Sequence, residues 1–385
     1  MLSHSIKNVC VSQSNGLRLA SAPAVGYNPA MRESMLYEKL PGNKVKCNVC
    51  AVRCLIPEGD VGACRTRLNE SGTLYTLLYG LTSSVCVDPI EKKPLYHFYP
   101  GTRILSMGTR GCNFRCPGCQ NWEISHDSPD KFGENMERLD PKESAHLARR
   151  LGCQGIGWTY NDPTIWVEHT LDAMIEAKKL GLYSAYMTNG YATEEQMELI
   201  GPYLSAWRVD IKGFSRESYK KVTRLARFDP VLEMTRLALH TYKMHVECVT
   251  NVTPTINDGE DIARGIASWI RENLGPFTPW HVTKFYPYLD LSHLPPTPLR
   301  TMERFCEIGR EEGLKYVYIG NVPGHPWEDT YCHGCGRRVI QRRGFAVARA
   351  DLQEGRCPSC KTEIPGRFQT RIDASTGERV PVLFT

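Results

Sequence analysis

The chain has 385 residues, of which 41% are hydrophobic, and its formal net charge is +5. Its length exceeds one average domain and predicts about two to three structural units. The mean hydropathy is -0.37. No apolar run approaches the roughly 18 residues that a membrane-spanning helix needs, so we expect a soluble, cytoplasmic protein without membrane contact.

The positive charge is concentrated near the carboxyl end. From Cys332 onward there are ten Arg and Lys against five Asp and Glu, and the rest of the chain has 37 of each. A basic segment of this kind can bind RNA or an acidic protein, or its charges can simply be solvated. The charge pattern alone does not decide among these three.

Residues 1–34 are interpreted as a disordered leader. The first 32 residues contain no acidic residue, several serines and the bases Lys7, Arg18 and Arg32. This composition is also typical of an organelle transit peptide, which is the alternative. A secretory signal is not expected, because no apolar stretch precedes the small residues at 20–22.

Sixteen cysteines are present, and eleven of them fall in three short clusters. Clustered cysteines in a chain of this length indicate metal sites in a reducing compartment rather than the disulfides of a small secreted domain. The other five are scattered, and we expect them to be buried as small hydrophobic side chains. They are Cys10, Cys86, Cys153, Cys248 and Cys306.

The first cysteine cluster lies in an amino-terminal region that we place at residues 35–100. Its four thiols can close one metal site without help from the rest of the chain; they are Cys47, Cys50, Cys54 and Cys64. A tetrahedral zinc ion and an iron–sulfur cluster accept such a set equally well, so both cofactors stay open. Residues 73–79 and 83–87 are then predicted to form a β-ribbon around Gly80.

Residues 101–328 alternate short apolar strands with amphipathic helices. Seven strands are predicted, at 104–108, 156–160, 183–188, 207–211, 245–252, 280–286 and 316–321. In the helix after the second strand, Val167, Leu171 and Met174 share one face. This alternation predicts an α/β fold of parallel units, an incomplete barrel of about six β/α units, whose ligands bind at the carboxyl ends of the strands.

The second cysteine cluster directly follows the first of these strands. Cys112, Cys116 and Cys119 place three thiolates in one tight loop. Four cysteines normally hold a [4Fe–4S] cluster, so three leave one iron open to a ligand from outside the protein. An open coordination position is characteristic of a reacting metal. The alternative is a zinc ion held together with a fourth, distant cysteine.

The spacing of these three cysteines resembles the signature of the radical SAM superfamily. The resemblance implies a [4Fe–4S] cluster and S-adenosylmethionine (SAM), which binds the open iron through its amino and carboxylate groups. In that superfamily a Gly-Gly-Glu element holds the SAM amino group, and Asn161 and Asp162 take its place here. A carboxylate favours an ammonium by charge-assisted hydrogen bonding, although Asn-Asp-Pro is also a good helix N-cap.

Other strands also end in polar residues. Asp210 and Lys212 share one face of the fourth strand, so we expect Lys212 to bind the SAM carboxylate and Asp210 to bind a hydroxyl or the lysine; an internal salt bridge is the alternative. Asn189, in a turn signal, and His281, on the sixth strand, are further candidates for contact with SAM. We assign no general acid or base.

The third cysteine cluster lies in a carboxyl-terminal region that we place at residues 329–385. Two pairs of cysteines are each separated by two residues; they are Cys332 with Cys335 and Cys357 with Cys360. They flank a strand-like segment at 343–349. Paired cysteines of this spacing are typical of a zinc ribbon.

Several segments together resemble one family. They are the cysteine loop with Asn-Trp-Glu-Ile at 121–124, Val-Asp-Pro-Ile-Glu-Lys-Lys-Pro-Leu at 87–95, Thr-Tyr-Asn-Asp-Pro at 159–163 and Tyr-Ile-Gly-Asn-Val at 318–322. The combination is similar to the radical SAM component of the AmmeMemoRadiSam system, which is related to pyruvate formate-lyase activating enzymes. The resemblance runs from about residue 35 to 368. It implies partner proteins of the Memo and AMMECR types.

Two positions depart from the superfamily pattern. Radical SAM enzymes usually have an aromatic residue just before the third cysteine, where it packs on adenine, and here that residue is Gly118. We therefore expect Phe114 or Trp122 to contact adenine, or a looser pocket. Asp162 in place of a glutamate shortens the reach to the SAM amino group by one methylene.

These observations predict a radical SAM enzyme. It would cleave SAM reductively to a 5′-deoxyadenosyl radical, which removes hydrogen from an unidentified substrate that is a protein, an RNA or a metabolite. Activation of a glycyl-radical protein is one such reaction, and the electron would come from a donor such as flavodoxin or ferredoxin. The alternative is a non-enzymatic adaptor with several zinc ions that binds nucleic acid or protein.

Overall fold

The computed structural model of the protein describes residues 31–127 and 136–368, and the backbone of residues 370–372 and 379–381. The leader predicted at 1–34 lies almost entirely outside the described residues, as does Cys10. The helices of the described part include none that is both long and apolar enough to cross a membrane.

The amino-terminal region consists of short antiparallel strands. They are β1 (Arg32–Glu33), β2 (Tyr37–Leu40), β3 (Lys44–Cys47), β4 (Leu55–Ile56), β5 (Arg67–Glu70), β6 (Thr73–Thr76) and β7 (Leu81–Thr82). One sheet has the order β2-β3-β4 and another the order β1-β6-β5. Ser71 and Gly72 both have positive φ, 51° and 79°, and make the two-residue turn between β5 and β6, as in a type I′ hairpin.

A central sheet of eight strands follows. Its strands are β8 (Ser84–Pro89), β9 (Arg103–Gly108), β11 (Gly155–Trp158), β12 (Tyr183–Thr188), β13 (Ala206–Asp210), β14 (His245–Val252), β15 (Trp280–Lys284) and β16 (Val317–Gly320), while the short β10 (Glu137–Arg138) pairs with β7. The order is β16-β15-β14-β13-β12-β11-β9-β8. All neighbours are parallel except β8, which runs antiparallel to β9.

Helices cover the sheet and connect most of the successive parallel strands. Those described are α1 (Trp122–Ser125), α2 (Pro141–Arg150), α3 (Val167–Lys179), α4 (Glu194–Ile200), α5 (Arg216–Thr223), α6 (Asp229–His240), α7 (Glu260–Asn273) and α8 (Leu299–Glu311). Two of these helices begin at a residue whose side chain caps the first turn. Asp140 accepts the backbone N–H groups of Lys142 and Glu143 at α2, and Ser215 forms a capping box at α5.

The predicted α/β fold class is confirmed. The seven parallel strands agree with the seven predicted ones to within two residues at each end. In the described sheet the edge strands β8 and β16 do not pair with each other, so the barrel is incomplete. All six residues of β12 are buried, as is typical of a parallel sheet that is covered on both faces.

The β-ribbon predicted from 73–79 and 83–87 is wrong. β6 pairs with β5 and β1, whereas β8 pairs with β9 from Ser84 opposite Gly108 to Pro89 opposite Arg103. The β9 side chains are almost entirely buried. Pairing in the central sheet therefore buries more apolar surface than an isolated hairpin would.

The carboxyl-terminal region contains the antiparallel strands β17 (Thr330–Tyr331), β18 (Arg338–Arg343) and β19 (Ala346–Ala350), and the pair β20 (Thr370–Ile372) and β21 (Arg379–Pro381). The single strand predicted at 343–349 is wrong, because Gly344, with φ of +60°, turns the chain between β18 and β19. A positive φ at glycine suits a turn and not the interior of a strand.

Arg342 holds this region against the barrel. Its guanidinium donates to the Tyr96 carbonyl at 2.9 Å and to Thr330 Oγ1 at 2.8 Å, and it lies 4.0 Å from the centre of the Tyr96 ring. The backbone of Arg367 also exchanges hydrogen bonds with Tyr99 and His97, both at 2.7 Å. The region therefore packs closely on the segment that precedes β9.

Candidate active site

The three cysteines of the second cluster lie in the loop after β9, at the carboxyl end of that strand. Cys112 is buried, and Cys116 and Cys119 are half-buried. The loop begins at Gly111, whose φ is +79°. A Cβ there would come within 2.4 Å of Thr66 Cγ2 and 2.8 Å of the Cys64 carbonyl oxygen, so only glycine fits.

The separation of these thiols tests whether the loop suits a cluster. Among the described residues, only the carboxyl-terminal cysteines form a set of three or more candidate ligand atoms within 4.8 Å of one another. The thiols of Cys112, Cys116 and Cys119 are therefore spaced more widely than the ligands of one ion. A [4Fe–4S] cluster binds each thiolate through a different iron, so a wider spacing fits it.

Burial also affects the protonation of the loop cysteines. It raises the pKa of Cys112 well above its ordinary value and that of Cys116 to about 12, although Lys212 lowers the latter. These two thiols by themselves are therefore neutral near pH 7. Bound iron would supply the positive charge that stabilises the thiolates.

Asn161 fixes the start of the cysteine loop. Its Oδ1 accepts the Thr109 N–H at 3.1 Å and its Nδ2 donates to the Gly111 carbonyl at 2.8 Å. The side chain is buried. Asn161 thus ties the end of β11 to the end of β9, and contact with SAM stays a prediction.

Asp162 has the N-cap role that its sequence indicated. Its carboxylate accepts the backbone N–H of Thr164 at 3.0 Å, the Thr188 hydroxyl at 3.0 Å and the Asn189 N–H at 2.5 Å. Burial raises the pKa of Asp162, and these hydrogen bonds oppose that rise. Its contact with the SAM ammonium stays a prediction.

Asn189 connects the end of β12 to the cysteine loop. Its Nδ2 donates to Asn113 Oδ1 at 2.7 Å, and its Oδ1 accepts the Tyr191 N–H at 3.0 Å. Asn113 follows Cys112 directly. Hydrogen bonds therefore link Asp162 to Asn189 and Asn189 to Asn113. They connect the ends of β11 and β12 to the residue that follows the first cysteine of the loop.

Asp210 and Lys212 form the predicted salt bridge at the end of β13. Lys212 Nζ lies 3.0 Å from Asp210, and Arg208, which sequence reasoning missed, lies 2.6 Å from the same carboxylate. Burial opposes both charges, yet the two cations lower the pKa of Asp210, and Asp210 together with Cys116 raises the pKa of Lys212. The Lys212 ammonium is therefore a stable cation beside Cys116 of the cysteine loop.

His281 belongs to a separate buried cluster. Its Nε2 lies 2.6 Å from Glu247, which also lies 2.8 Å from His245, and its ring stacks on Tyr318. Burial lowers the pKa of His281. The structure does not bring His281 into the network of the cysteine loop, and its contact with SAM stays a prediction.

A second polar group, which links β8 to β13, was also missed from the sequence. Asp88 accepts Lys93 Nζ at 2.6 Å and the Tyr160 hydroxyl at 3.0 Å, and the Lys93 carbonyl accepts Arg208 Nε at 2.6 Å. Burial lowers the pKa of Lys93 to about 8, although Asp88 opposes this. In the sequence, segment 87–95 contributed only to the family resemblance. Its charged residues are the feature that could have predicted this polar group.

The two residues expected to replace the missing aromatic side chain lie in different surroundings. Phe114 is buried against Tyr191, with ring centres 5.3 Å apart, while Trp122 is 41% exposed. A Cβ at Gly118 would come within 2.9 Å of Leu291 Cδ1 and 3.2 Å of Phe285 Cε2. These two side chains occupy the space that an aromatic residue at 118 would need.

The other two cysteine clusters are also brought together by the fold. Cys47, Cys50, Cys54 and Cys64 line one cavity, although no three of their sulfur atoms lie within 4.8 Å of one another. In the carboxyl-terminal set, Cys332 Sγ lies 3.5 Å from Cys360 Sγ, and Cys335 Sγ lies 3.7 Å from Cys357 Sγ. This last set could bind one metal ion. The four scattered cysteines in the described residues are buried, as predicted.

Comparison with known proteins identifies the class. Residues 107–264 match the family model described as the radical SAM superfamily, and this match contains the three loop cysteines. Residues 107–264 therefore form a radical SAM domain, and the protein is an enzyme, which contradicts the non-enzymatic alternative. A domain of this kind implies a [4Fe–4S] cluster and SAM.

Two proteins of Methanocaldococcus jannaschii are similar along most of their length. The chain is 42% identical over 336 residues to the uncharacterized protein MJ0808, an alignment that covers 87% of this chain and 99% of the relative. These two proteins belong to one family. A second relative, the uncharacterized protein MJ0674, is 24% identical over 285 residues, with 71% and 76% covered.

Solved structures of radical SAM proteins are also similar. A domain of pyruvate-formate lyase-activating enzyme from Bacteroides vulgatus is 13% identical with a TM-score of 0.36, covering 43% of this chain and 99% of that one. A radical SAM methyltransferase from Sphaerobacter thermophilus is 15% identical with a TM-score of 0.44, covering 58% of this chain and 68% of that one.

Proposed function

We propose that Cys112, Cys116 and Cys119 hold a [4Fe–4S] cluster and that SAM binds at its open iron. When bound, these groups supply the reductive cleavage of SAM to methionine and a 5′-deoxyadenosyl radical, which removes a hydrogen atom from a substrate. The observation that carries the proposal is the set of three thiols at the carboxyl end of a parallel strand, spaced more widely than the ligands of one ion.

The protein positions SAM by charge. Lys212, whose charge interacts with Cys116, binds the SAM carboxylate, because a half-buried ammonium attracts an anion more strongly than a solvated one. Asp162, Asn161 and Asn189 follow the neighbouring strands β11 and β12, and their oxygen atoms would bind the amino group.

The carboxyl-terminal cysteines are proposed to bind zinc. A Zn–S bond of about 2.3 Å places neighbouring sulfur atoms of a tetrahedral site about 3.8 Å apart. The separations of 3.5 and 3.7 Å support this ion. The site would stabilise the fold of the ribbon and not take part in the radical reaction.

The partners and substrate follow from the resemblance and from charge. We place the protein in the cytoplasm, as the radical SAM component of an AmmeMemoRadiSam system with Memo-like and AMMECR-like partners and a donor such as flavodoxin or ferredoxin. The substrate is a protein, including a glycyl-radical protein, an RNA or a metabolite. The excess of basic residues after Cys332 favours a macromolecule.

Anaerobic reconstitution tests the cluster and the reaction. With dithionite and SAM, the reconstituted protein is expected to release 5′-deoxyadenosine, measured by liquid chromatography. Cys116→Ala should abolish the release, whereas Cys153→Ala, which changes a buried cysteine outside the three clusters, should retain it. Equal release from both variants would contradict the proposal.

A further inference from the structure

The cavity of the first cysteine cluster is a built site that the radical reaction does not use. Its walls include Cys47, Cys50, Cys54 and Cys64. Three of these cysteines are buried. Gly62 lies between two of them, since a Cβ there would be 3.8 Å from Cys54 Sγ and 3.9 Å from Cys64 Sγ.

The four sulfur atoms are spaced more widely than the ligands of a single tetrahedral ion. Around one zinc ion all sulfur atoms lie about 3.8 Å apart, and the carboxyl-terminal set of this same chain has that geometry. In the first set, no three sulfur atoms lie within 4.8 Å of one another. Four thiols around a shared cavity at wider spacing fit a group with several metal atoms, each bound by its own thiolate.

Two buried N–H groups in the cavity wall point to the same ligand. Asn113 and Arg67 line the cavity, and they are 5% and 1% exposed. Among the described residues, Asn113 Nδ2 and Arg67 Nε have no hydrogen-bond partner. Buried donors are rarely left unpaired, and the sulfur atoms of an iron–sulfur cluster accept hydrogen bonds.

The cavity also adjoins the loop of the radical SAM cysteines. Asn113 follows Cys112 and is part of the cavity wall. The Cys64 carbonyl packs against Gly111, and Arg115 Nη2 lies 3.5 Å from the Ala63 carbonyl. The first cysteine cluster and the catalytic loop therefore form one packed unit.

We propose that Cys47, Cys50, Cys54 and Cys64 hold a second iron–sulfur cluster, next to the one bound by the catalytic loop. Zinc in this chain is then confined to the carboxyl-terminal set. This inference does not rest on the proposed reaction, because it concerns different ligands.

Metal analysis of the anaerobically purified full chain tests it. We expect more than four iron atoms per chain, roughly eight if both clusters are [4Fe–4S], with matching acid-labile sulfide and one zinc. The triple variant C112A/C116A/C119A should keep about half of the iron and sulfide. The variant C47A/C50A should also lose about half, and it should retain the change in electron paramagnetic resonance that SAM causes at the catalytic cluster.

The wild-type count decides the question even if a variant fails to fold. Four or fewer iron atoms per chain with a second zinc would overturn the second cluster and leave the radical reaction intact. A triple variant that folds, as judged by its thermal unfolding, but holds no iron would overturn it as well. The control Cys153→Ala should keep the full iron and sulfide content.

Discussion

Arg67 and Glu168 form a fully buried, two-contact ion pair, with Nη1–Oε1 and Nη2–Oε2 distances of 2.8 Å each. Their side chains are 1% and 0% exposed. Arg67 lies on β5 in the amino-terminal region, and Glu168 lies on α3 of the barrel. Ser34 Oγ and the Met35 N–H donate to the same carboxylate at 3.1 Å. The pair therefore fastens the amino-terminal region to the barrel.

Loss of this carboxylate should destabilise the protein strongly. In Glu168→Gln the buried guanidinium keeps its charge but loses its partner, which costs about 3–5 kcal/mol of unfolding free energy. Urea unfolding under anaerobic conditions measures the loss. Glu217→Gln, which breaks the exposed pair with Lys221, should cost far less, because water screens that pair. Similar losses of unfolding free energy in the two variants would contradict a larger contribution from the buried pair.

Asn161→Ala should release the cysteine loop. It leaves the buried Thr109 N–H and Gly111 carbonyl without partners, at about 1–3 kcal/mol each. The matched control is Gln154→Ala. It also removes two hydrogen bonds to the backbone, one from the Arg103 N–H and one to the Gly152 carbonyl, but neither residue belongs to the cysteine loop. Only Asn161→Ala should lower iron content after reconstitution. Full iron content in that variant would contradict an anchoring role.

Lys212→Met should weaken SAM binding by about 10- to 100-fold, because a charge-assisted hydrogen bond to the SAM carboxylate is lost. Iron content should not change. Equilibrium dialysis with labelled SAM gives the Kd, and Lys221→Met on the exposed face of α5 is the control. An unchanged Kd would mean that Lys212 serves only its salt bridge with Asp210.

Gly111→Ala should cost more than a strained backbone alone. Gly181 has a similar φ, +69°, but no atom lies within 4 Å of a Cβ there, whereas at Gly111 the Cβ would collide with Thr66 and Cys64. Gly181→Ala should therefore lose about 1 kcal/mol of stability. Gly111→Ala should lose more and bind less iron at the catalytic loop. Equal stability and iron content in the two variants would refute the close packing of the two loops.

Glu91 should make stability depend on pH. Burial raises its pKa to about 7, against the attraction of Arg342, and the ordinary value is 4.5. The folded state thus binds more protons than the unfolded state between these values, so stability falls as pH rises through this window. In Glu91→Gln this contribution disappears while an oxygen remains to accept the Gly101 N–H.

The variant should therefore gain stability relative to wild type as pH rises from 5.5 to 8, by on the order of 2 kcal/mol. Urea unfolding at a series of pH values measures the difference between the two proteins, which cancels the titration of other groups. A difference that stays constant over this range would contradict the shifted pKa.

Local patterns in the sequence were sufficient to predict the parallel strands and the cysteine clusters of this protein. The seven parallel strands and the three cysteine clusters depend on periodicity and spacing over short stretches, which act before any distant contact forms. The N-cap at Asp162 and the pair of Asp210 and Lys212 are local in the same sense. Each of these was readable from neighbouring residues.

Tertiary packing decided which of these parts meet. The residues around Ser84–Pro89 do not show that this strand pairs with the central sheet. The residues around Arg208 and Asn113 likewise do not show which side chains these two contact. Both kinds of contact link residues that are far apart in the chain. The sulfur spacings that separate one ion from a cluster also depend on how loops fold back on each other. Composition and local spacing therefore determined the chemistry available, and burial against distant residues decided where that chemistry is assembled.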